Sequence, residues 1–126
     1  MIPKFRAYDG GSLCRMYSPE EVMVGDGDIW IIDEDDVAGE WIVNNDLVLM
    51  QSTGLTDKNG KEIFEGDILD SEDGFLAGVV ELRRDLGMFV STLIKYNNFE
   101  RLCSIANSRE IIGNIYSNPE LAEVDS

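Results

Sequence analysis

The sequence predicts a mainly β fold: a small, partly open β-barrel of the SH3-like or OB-like type, built around a central hairpin. It also predicts an N-terminal β-hairpin region and one to three short helices. Apolar residues recur in short runs of strand length, separated by turn clusters. Glycines lie where a small barrel needs corners. With 126 residues and an apolar fraction of 44%, we expect one domain over residues 1–126, with sub-lobes at 1–48 and 49–126.

The N-terminal region contains several short elements. Lys4–Tyr8 alternates polar and apolar residues, which predicts a strand, and Leu13–Tyr17 can return as its antiparallel partner. Ser18–Glu21 predicts a capped helical start, because Ser18 and the glutamate at the third helical position form a capping box and Pro19 suits the first helical position. Ile29–Ile32 and Trp41–Val43 are apolar runs of strand length.

The central stretch, Leu49–Leu69, has the densest local signals. Asn59-Gly60 predicts a chain reversal, because both residues tolerate the positive φ of a type I′ turn. The loop is longer than two residues, so we expect a bulge or a second bend at Gly54. Gly66 and Asp67 then predict a corner, since glycine has unrestricted backbone freedom and aspartate bonds to turn backbone.

The remaining chain predicts three further strands, which cover Phe75–Leu82, Met88–Tyr96 and Glu110–Tyr116. Gly78 predicts a kink or bulge in the first of these strands. Apolar residues at helical spacing in Asn97–Ala106 predict one short helix, and Ser117–Leu121 predicts a capped helical turn. Across the whole chain the predicted structural turn residues are Gly54, Asn59, Gly60, Gly66, Asp67 and Gly113.

The charge balance is strongly acidic, with 25 Asp and Glu, 10 Lys and Arg and a net charge of −15. The first 48 residues contain 11 acidic and 3 basic residues, against 14 and 7 in the remainder. The negative electrostatic potential of such a chain repels phosphate backbones and attracts basic partners. No apolar run approaches the roughly 18 residues of a membrane helix, and the N-terminus lacks the apolar region of a secretory signal. We expect a soluble intracellular protein and neither nucleic acid nor membrane as its partner. The charge either serves only to keep the protein in solution or attracts a basic protein partner.

Histidine is absent, and the two cysteines are Cys14 and Cys103. Without histidine the chain lacks Ser-His-Asp and Cys-His nucleophiles and histidine-containing zinc sites. Two distant cysteines predict reduced core thiols rather than a disulfide framework. We therefore expect no cofactor and no catalytic residue, so that the protein is not an enzyme.

Acidic residues before and after the run Ile29–Ile32 are a weak candidate for a metal site. Clustered carboxylates suit Ca²⁺ or Mg²⁺. The spacing fits no EF-type loop, however, because the fifth position is an apolar residue in both frames. A solvated acidic loop is the better interpretation. The candidate ligands are Asp26, Asp28, Asp33, Asp35 and Asp36.

Three stretches, Lys4–Asp9, Leu49–Ile68 and Ile112–Leu121, match a known family in residues and in order, with Gly78–Glu81 also in place. In these stretches the chain resembles the YopX-like family of phage and prophage proteins. Residues Ser18–Asp46 lie outside the resemblance. The resemblance implies a small, largely β, phage-encoded cytoplasmic protein that forms homo-oligomers. It transfers no catalytic residues.

The main functional hypothesis is a binding or assembly module without catalytic activity. It is motivated by a β-rich chain that lacks a reactive constellation of side chains. A variant of this hypothesis is an acidic decoy, which occupies the basic DNA-binding surface of a host enzyme because clustered carboxylates imitate phosphates.

Two alternatives belong to other functional classes. One is a barrel that binds single-stranded nucleic acid through a basic aromatic face. The other is a divalent-metal-dependent phosphodiester-processing enzyme that uses Glu65, Asp67 and Glu81. Against the enzyme, residues such as Glu65 and Asp67 shape corners by bonding to backbone. The candidate residues of the nucleic-acid face are Lys4, Arg6, Tyr8, Arg83, Arg84 and Lys95.

Overall fold

The computed structural model describes residues 4–11, 14–32 and 40–123. These ranges contain twelve strands, one short α-helix and three 3-10 turns, so the prediction of a mainly β fold is confirmed. The chain divides into two compact units, Met1–Gln51 and Ser52–Ser126. Within the described ranges, no helix has the length and apolar character needed to cross a membrane.

Unit 1, Met1–Gln51, contains two small antiparallel sheets. One has the order β2-β1-β6, and the other has the order β3-β4-β5. Strand β6 continues through the boundary into the second unit. The strands are β1 (Phe5–Asp9), β2 (Arg15–Tyr17), β3 (Val22–Gly25), β4 (Asp28–Ile32), β5 (Trp41–Val43) and β6 (Val48–Thr56).

The core of unit 1 forms around the small side chain of Ala7. This residue pairs with Tyr17 on one side and Leu49 on the other, and it is fully buried. Ala7 and Tyr17 pack in one cluster with Ile31 and Leu47. The predicted N-terminal hairpin is therefore confirmed, and its apolar face supplies half of this core.

The connection between β3 and β4 is a two-residue hairpin turn at Asp26 and Gly27. Gly25 pairs with Asp28 across it, and the two turn residues have φ values of +53° and +79°. Positive φ at both positions is the signature of a type I′ turn. The predicted capped helix before β3 is a single 3-10 turn, Pro19–Glu21.

Unit 2, Ser52–Ser126, contains a five-stranded antiparallel sheet with the order β11-β10-β9-β8-β12, which forms a half-barrel. The second part of β6 pairs separately with β7. Helix α1, Leu102–Ile105, follows β11. The strands are β7 (Glu62–Phe64), β8 (Asp67–Asp70), β9 (Gly78–Arg83), β10 (Met88–Leu93), β11 (Phe99–Arg101) and β12 (Glu110–Asn114).

The core of unit 2 joins the half-barrel, β7 and α1. Its fully buried members come from all three, so the short helix closes over the apolar side of the sheet. Half-buried side chains such as Phe89 pack around this cluster. The fully buried members are Ile63, Leu69, Val80, Leu102 and Ala106.

The chain reverses at the predicted Asn59-Gly60, but the predicted type I′ turn is wrong. Gly60 has a φ of +82°, whereas Asn59 is not among the described residues with positive φ. Thr56 pairs with Glu62, which leaves five residues in the loop, and the Gly60 N–H donates to the Asp57 carbonyl at 3.0 Å. The predicted irregularity at Gly54 is present: its φ is +76°, and the register of β6 against β7 shifts there.

Gly78 is the first residue of β9 rather than a kink inside a longer strand. The pairing of β9 with β10 is continuous from Gly78 to Arg83. A Cβ at position 78 would overlap the Ser91 hydroxyl and lie 3.2 Å from the Thr92 carbonyl oxygen. Close approach of a neighbouring strand therefore explains this glycine.

The predicted helix Asn97–Ala106 is wrong in its first half. Phe99–Arg101 is strand β11, which pairs with β10 from Thr92 to Val90. Only Leu102–Ile105 is α-helical. Pairing with a neighbouring strand overrides the helical spacing of the apolar residues.

Candidate functional site

Four carboxylates flank the strands of the β3-β4-β5 sheet. Asp26 lies in the β3–β4 turn and Asp28 at the start of β4, whereas Glu40 immediately precedes β5. Asp46 lies in the turn after β5 and is exposed, as are Asp26 and Glu40. The sequence has no lysine or arginine between positions 15 and 58. This sheet therefore carries carboxylates without a cationic residue of its own.

Asn45 holds the turn after β5 against the start of β4. Its Oδ1 accepts the Ile29 N–H at 2.8 Å, and its Nδ2 donates to Asp28 Oδ1 at 2.9 Å. The Asn44 N–H donates to the Ile29 carbonyl at 2.8 Å. These bonds fix Asp28 and the neighbouring turn at the same end of the sheet.

The cation nearest in sequence to this sheet, Arg15 on β2, is already engaged. Its Nη2 lies 2.5 Å from Glu21 Oε2, and its guanidinium lies 4.6 Å from the centre of the Tyr17 ring. The Ser18 N–H donates to Glu21, and this bond lowers the pKa of the Glu21 carboxyl despite its partial burial. The Ser18 hydroxyl and Arg15 act in the same direction. The predicted capping box is thus also an ion-pair site.

The weak metal candidates fall into two groups. Asp26 and Asp28 occupy the β3–β4 hairpin, where Asp28 bonds to Asn45. The other three, Asp33, Asp35 and Asp36, lie outside the described residues. In the ranges that the structure does describe, no group of three or more His, Cys, Asp or Glu side chains is arranged to hold a metal ion.

The candidates for a nucleic-acid face are divided between the two units. Lys4, Arg6 and Tyr8 belong to unit 1, where the alternation of β1 brings Arg6 and Tyr8 to one side of the strand. The other three, Arg83, Arg84 and Lys95, belong to unit 2.

Within unit 2 the candidates are separated along the β9–β10 hairpin. Arg83 pairs with Met88 beside the turn that contains Arg84, whereas Lys95 follows the far end of β10. Five strand residues, roughly 17 Å at about 3.4 Å each, separate the two ends. Arg83 also donates two hydrogen bonds to the Asp85 carboxylate, at 3.0 and 2.9 Å, and its guanidinium lies 5.0 Å from the centre of the Phe99 ring.

Two of the three carboxylates considered for phosphodiester chemistry, Asp67 and Glu81, make structural contacts. Asp67 is 2% exposed, and its Oδ2 accepts the Phe64 N–H at 2.8 Å across the corner at Gly66, whose φ is +86°. The Glu81 carboxylate accepts the Thr92 hydroxyl. The contact of Asp67 is the corner-shaping role that the sequence predicts for it.

Asp57 is a buried carboxylate that sequence reasoning missed. It is 3% exposed and accepts the N–H groups of Asn59 and Lys61 at 2.9 Å each and of Ile111 at 3.0 Å. Burial raises its pKa, but these three N–H groups together outweigh that effect and leave the pKa below its ordinary value. Asp57 therefore ties the loop after β6 to β12.

Arg109 and Glu100 form a second polar contact that the sequence did not reveal. Arg109 is 9% exposed, and its Nη2 donates to both Glu100 oxygens at 3.0 Å. Its Nη1 donates to Ser108 at 3.1 Å. The pair connects β11 to the residue that precedes β12.

The two thiols are free, as the sequence predicts, but both are exposed rather than in a core. Cys14 has a φ of +47° beside the end of the N-terminal hairpin loop. Cys103 lies on α1, whose buried residue is Leu102 instead.

The fold and this surface define a small, mainly β protein with a half-barrel unit and an acidic N-terminal unit. A family model described as YopX protein matches residues 4–123. The chain belongs to the YopX family, and the resemblance in the sequence is thereby confirmed.

Two solved structures are similar to the chain over almost its whole length. Protein EF1440 from Enterococcus faecalis is 30% identical with a TM-score of 0.60, and the match covers 98% of this chain and 99% of that one. Protein yopX from Bacillus subtilis is 20% identical with a TM-score of 0.60, and the match covers 95% and 98%. The second likeness supports the fold alone. No curated protein matches the sequence significantly.

Proposed function

We propose that the protein is a binding module without catalytic activity, which engages a basic protein partner through the acidic part of unit 1. The observation that carries the proposal is the set of carboxylates around the β3-β4-β5 sheet, in a segment without lysine or arginine between positions 15 and 58. The negative electrostatic potential of such a segment attracts cationic surfaces and accelerates their association.

The absence of catalysis is part of this proposal and is supported by the structural contacts of three acidic residues in unit 2. Asp57 and Asp67 are buried and bonded to backbone N–H groups, and Glu100 is paired with Arg109. The sequence also has no histidine to move a proton near neutral pH. Calorimetric titration with Mg²⁺, Mn²⁺ and Ca²⁺ should give no heat of specific binding, and a saturable signal would contradict this part.

The family resemblance extends the proposal to a homo-oligomer, encoded by a phage or prophage and acting in the bacterial cytoplasm. Light scattering over a range of protein concentrations tests the oligomer. A mass equal to that of one chain at all concentrations would remove this extension and leave the binding proposal standing.

Fluorescence anisotropy with labelled decalysine tests the electrostatic proposal directly. We expect binding at low ionic strength that weakens as salt is added, because exposed charges are screened. The triple variant Asp26→Asn, Glu40→Gln, Asp46→Asn should bind about tenfold more weakly, if each exposed ion pair contributes about 0.5 kcal/mol.

A matched control changes the same net charge in unit 2, with Glu72→Gln, Glu120→Gln and Glu123→Gln. These side chains are exposed, so the substitutions leave the fold intact. The control should lose much less affinity than the unit 1 variant. Equal losses in the two variants would show that only total charge matters and would refute the assigned surface.

A further inference from the structure

One face of the β3-β4-β5 sheet is apolar and partly exposed. The strand registers place Met23 opposite Trp30, and Trp30 opposite Val43, in one row, with Ile32 opposite Trp41 in the next. Because side chains alternate along a strand, these five residues share one side of the sheet. We call them the outer face.

The opposite side of the same sheet faces the core. Ile31 is 4% exposed and belongs to the core of unit 1, and Val22 and Ile29 pack against that core. The outer face is different: Met23 is 47%, Trp41 is 38% and Val43 is 44% exposed. The inner side is thus buried at its centre and open at its edges, where Val24 is 43% and Ile42 is 41% exposed, and the outer face is a second accessible apolar surface.

Exposed apolar residues are ordinary when they are isolated, but the exposed Met23, Trp41 and Val43 are neighbours of the half-buried Trp30 and Ile32. Residues directly opposite in antiparallel strands have Cβ atoms about 5 Å apart, so the outer face is one continuous patch. A contiguous patch of this kind, with polar groups around it, is typical of an interaction surface. Both tryptophans of the chain, Trp30 and Trp41, lie on it.

The charges around the outer face indicate which class of partner it can bind. Asp26, Asp28 and Asp46 lie at one end of the strands and Glu40 at the other, and the sheet contributes no cation. A second copy of this chain would bring like charges together at both ends. A partner with an apolar stripe and lysines or arginines at its margins would complement both the patch and its rim.

The dimensions of the sheet fit a helix. In a three-stranded sheet the axes of the two edge strands lie about 10 Å apart, which matches the diameter of one α-helix. The five residues of β4 extend about 17 Å, the length of about three helical turns. We propose that the outer face binds a basic amphipathic helix of a partner protein, an inference that rests on the proposed function and assigns its surface and partner class.

Tryptophan emission of the intact chain tests this proposal. The probe is a tryptophan-free peptide of leucine and lysine, patterned to form a helix with one apolar face. A scrambled peptide of the same composition and decalysine serve as comparisons. Because both tryptophans lie on the outer face, the patterned peptide should shift their emission to shorter wavelength and protect them from acrylamide quenching. We expect it to bind about tenfold more tightly than the scrambled peptide.

Substitutions then locate the interaction. Met23→Thr with Val43→Thr keeps strand-forming residues but removes apolar surface, and should weaken binding of the patterned peptide about tenfold while decalysine binding is unchanged. The control, Phe75→Thr with Leu86→Thr, removes exposed apolar residues from unit 2 and should have no effect. Circular dichroism checks the fold of both variants, and quenching of the unmodified chain provides a result that needs no variant.

The outcomes separate the two proposals. If decalysine binds as expected but the patterned peptide gains nothing over the scrambled one, the outer-face proposal is wrong and the electrostatic proposal stands. If neither ligand binds, both fail. An emission shift that depends on protein concentration alone, without peptide, would assign the outer face to a second copy of this chain and overturn the helix proposal.

Discussion

The substitution Asp57→Asn tests how far one buried carboxylate stabilises unit 2. The amide oxygen of asparagine can still accept the N–H groups of Asn59 and Lys61, which now bond to Asp57 Oδ1 at 2.9 Å. Its NH₂ group, however, would face the Ile111 N–H, which now bonds to Oδ2 at 3.0 Å. Two donors would then oppose each other at a site that is 3% exposed.

The expected destabilisation is about 2–4 kcal/mol. A hydrogen bond to a charged acceptor contributes about 1.5–3 kcal/mol, and a donor left unsatisfied in the interior costs about 1–3 kcal/mol, with partial overlap between the two. Urea unfolding followed by circular dichroism measures the change in free energy. Hydrogen exchange at the Ile111 amide gives a local measurement, because that N–H loses its acceptor.

The pH dependence provides an independent check of the same reasoning. The pKa of Asp57 is lowered in the folded protein, so its stabilisation is fully present above the ordinary aspartate pKa of about 3.9 and is lost as the pH falls through the lower folded value. The difference in stability between the native chain and the variant should therefore be large at pH 6 and smaller at strongly acidic pH. Asparagine does not titrate, so the variant lacks this contribution at every pH.

Asp73→Asn is the matched control. Asp73 is exposed, and its Oδ1 accepts the Ser71 hydroxyl and the Phe75 N–H, the latter at 3.1 Å, bonds that an amide oxygen can also accept. Its cost should stay below about 0.5 kcal/mol. The reasoning about Asp57 is refuted if the two substitutions cost the same, or if the Asp57→Asn deficit does not change with pH.

Two further predictions concern unit 2. Arg109→Met should destabilise the protein by about 2–3 kcal/mol in urea unfolding, because it leaves the half-buried Glu100 carboxylate without its cation. Glu100→Leu added to it should recover part of the loss, and a double variant as unstable as the single one would contradict this. Gly78→Ala should cost about 1–3 kcal/mol, since its Cβ would overlap the Ser91 hydroxyl. Ser91→Ala in the same chain should remove much of that cost, and strictly additive effects would argue against the contact.

The elements that could be predicted from the sequence are those fixed by neighbouring residues. The alternation of Lys4–Tyr8 gives β1, and the serine and glutamate of Ser18–Glu21 form the predicted capping box. Gly66 takes positive φ at the predicted corner. Each of these signals acts over a few residues and depends on backbone sterics or one local hydrogen bond.

The errors occur where distant pairing decides the structure. Phe99–Arg101 has helical spacing but becomes a strand because it pairs with β10. Asn59-Gly60 suits a type I′ turn, yet the register of β6 against β7 leaves a five-residue loop there. The two-residue turn of the chain lies in another hairpin, between β3 and β4, at Asp26-Gly27. An Asp-Gly pair is a hairpin signal of the same kind, so that turn was available to sequence reasoning.

The candidate site was predictable only in its charge. The excess of acidic residues indicated a basic partner, but the outer face follows from the registers of three strands, and no local pattern joins Met23 to Trp30 and Val43. The role of Asp57 depends in the same way on Ile111, which is 54 positions away in the sequence.

The two apolar sides of the β3-β4-β5 sheet make stability and binding separable. Ile31 on the inner side is almost fully buried, so truncating it should remove packing that unit 1 needs to fold. Met23 and Val43 on the outer face keep almost half of their surface in solvent, so replacing them with threonine should change the unfolding free energy by about 0.5 kcal/mol or less. If the outer face were needed for folding, the same substitutions would lower stability and peptide affinity together. Loss of affinity at unchanged stability is the result expected for a surface that serves a partner.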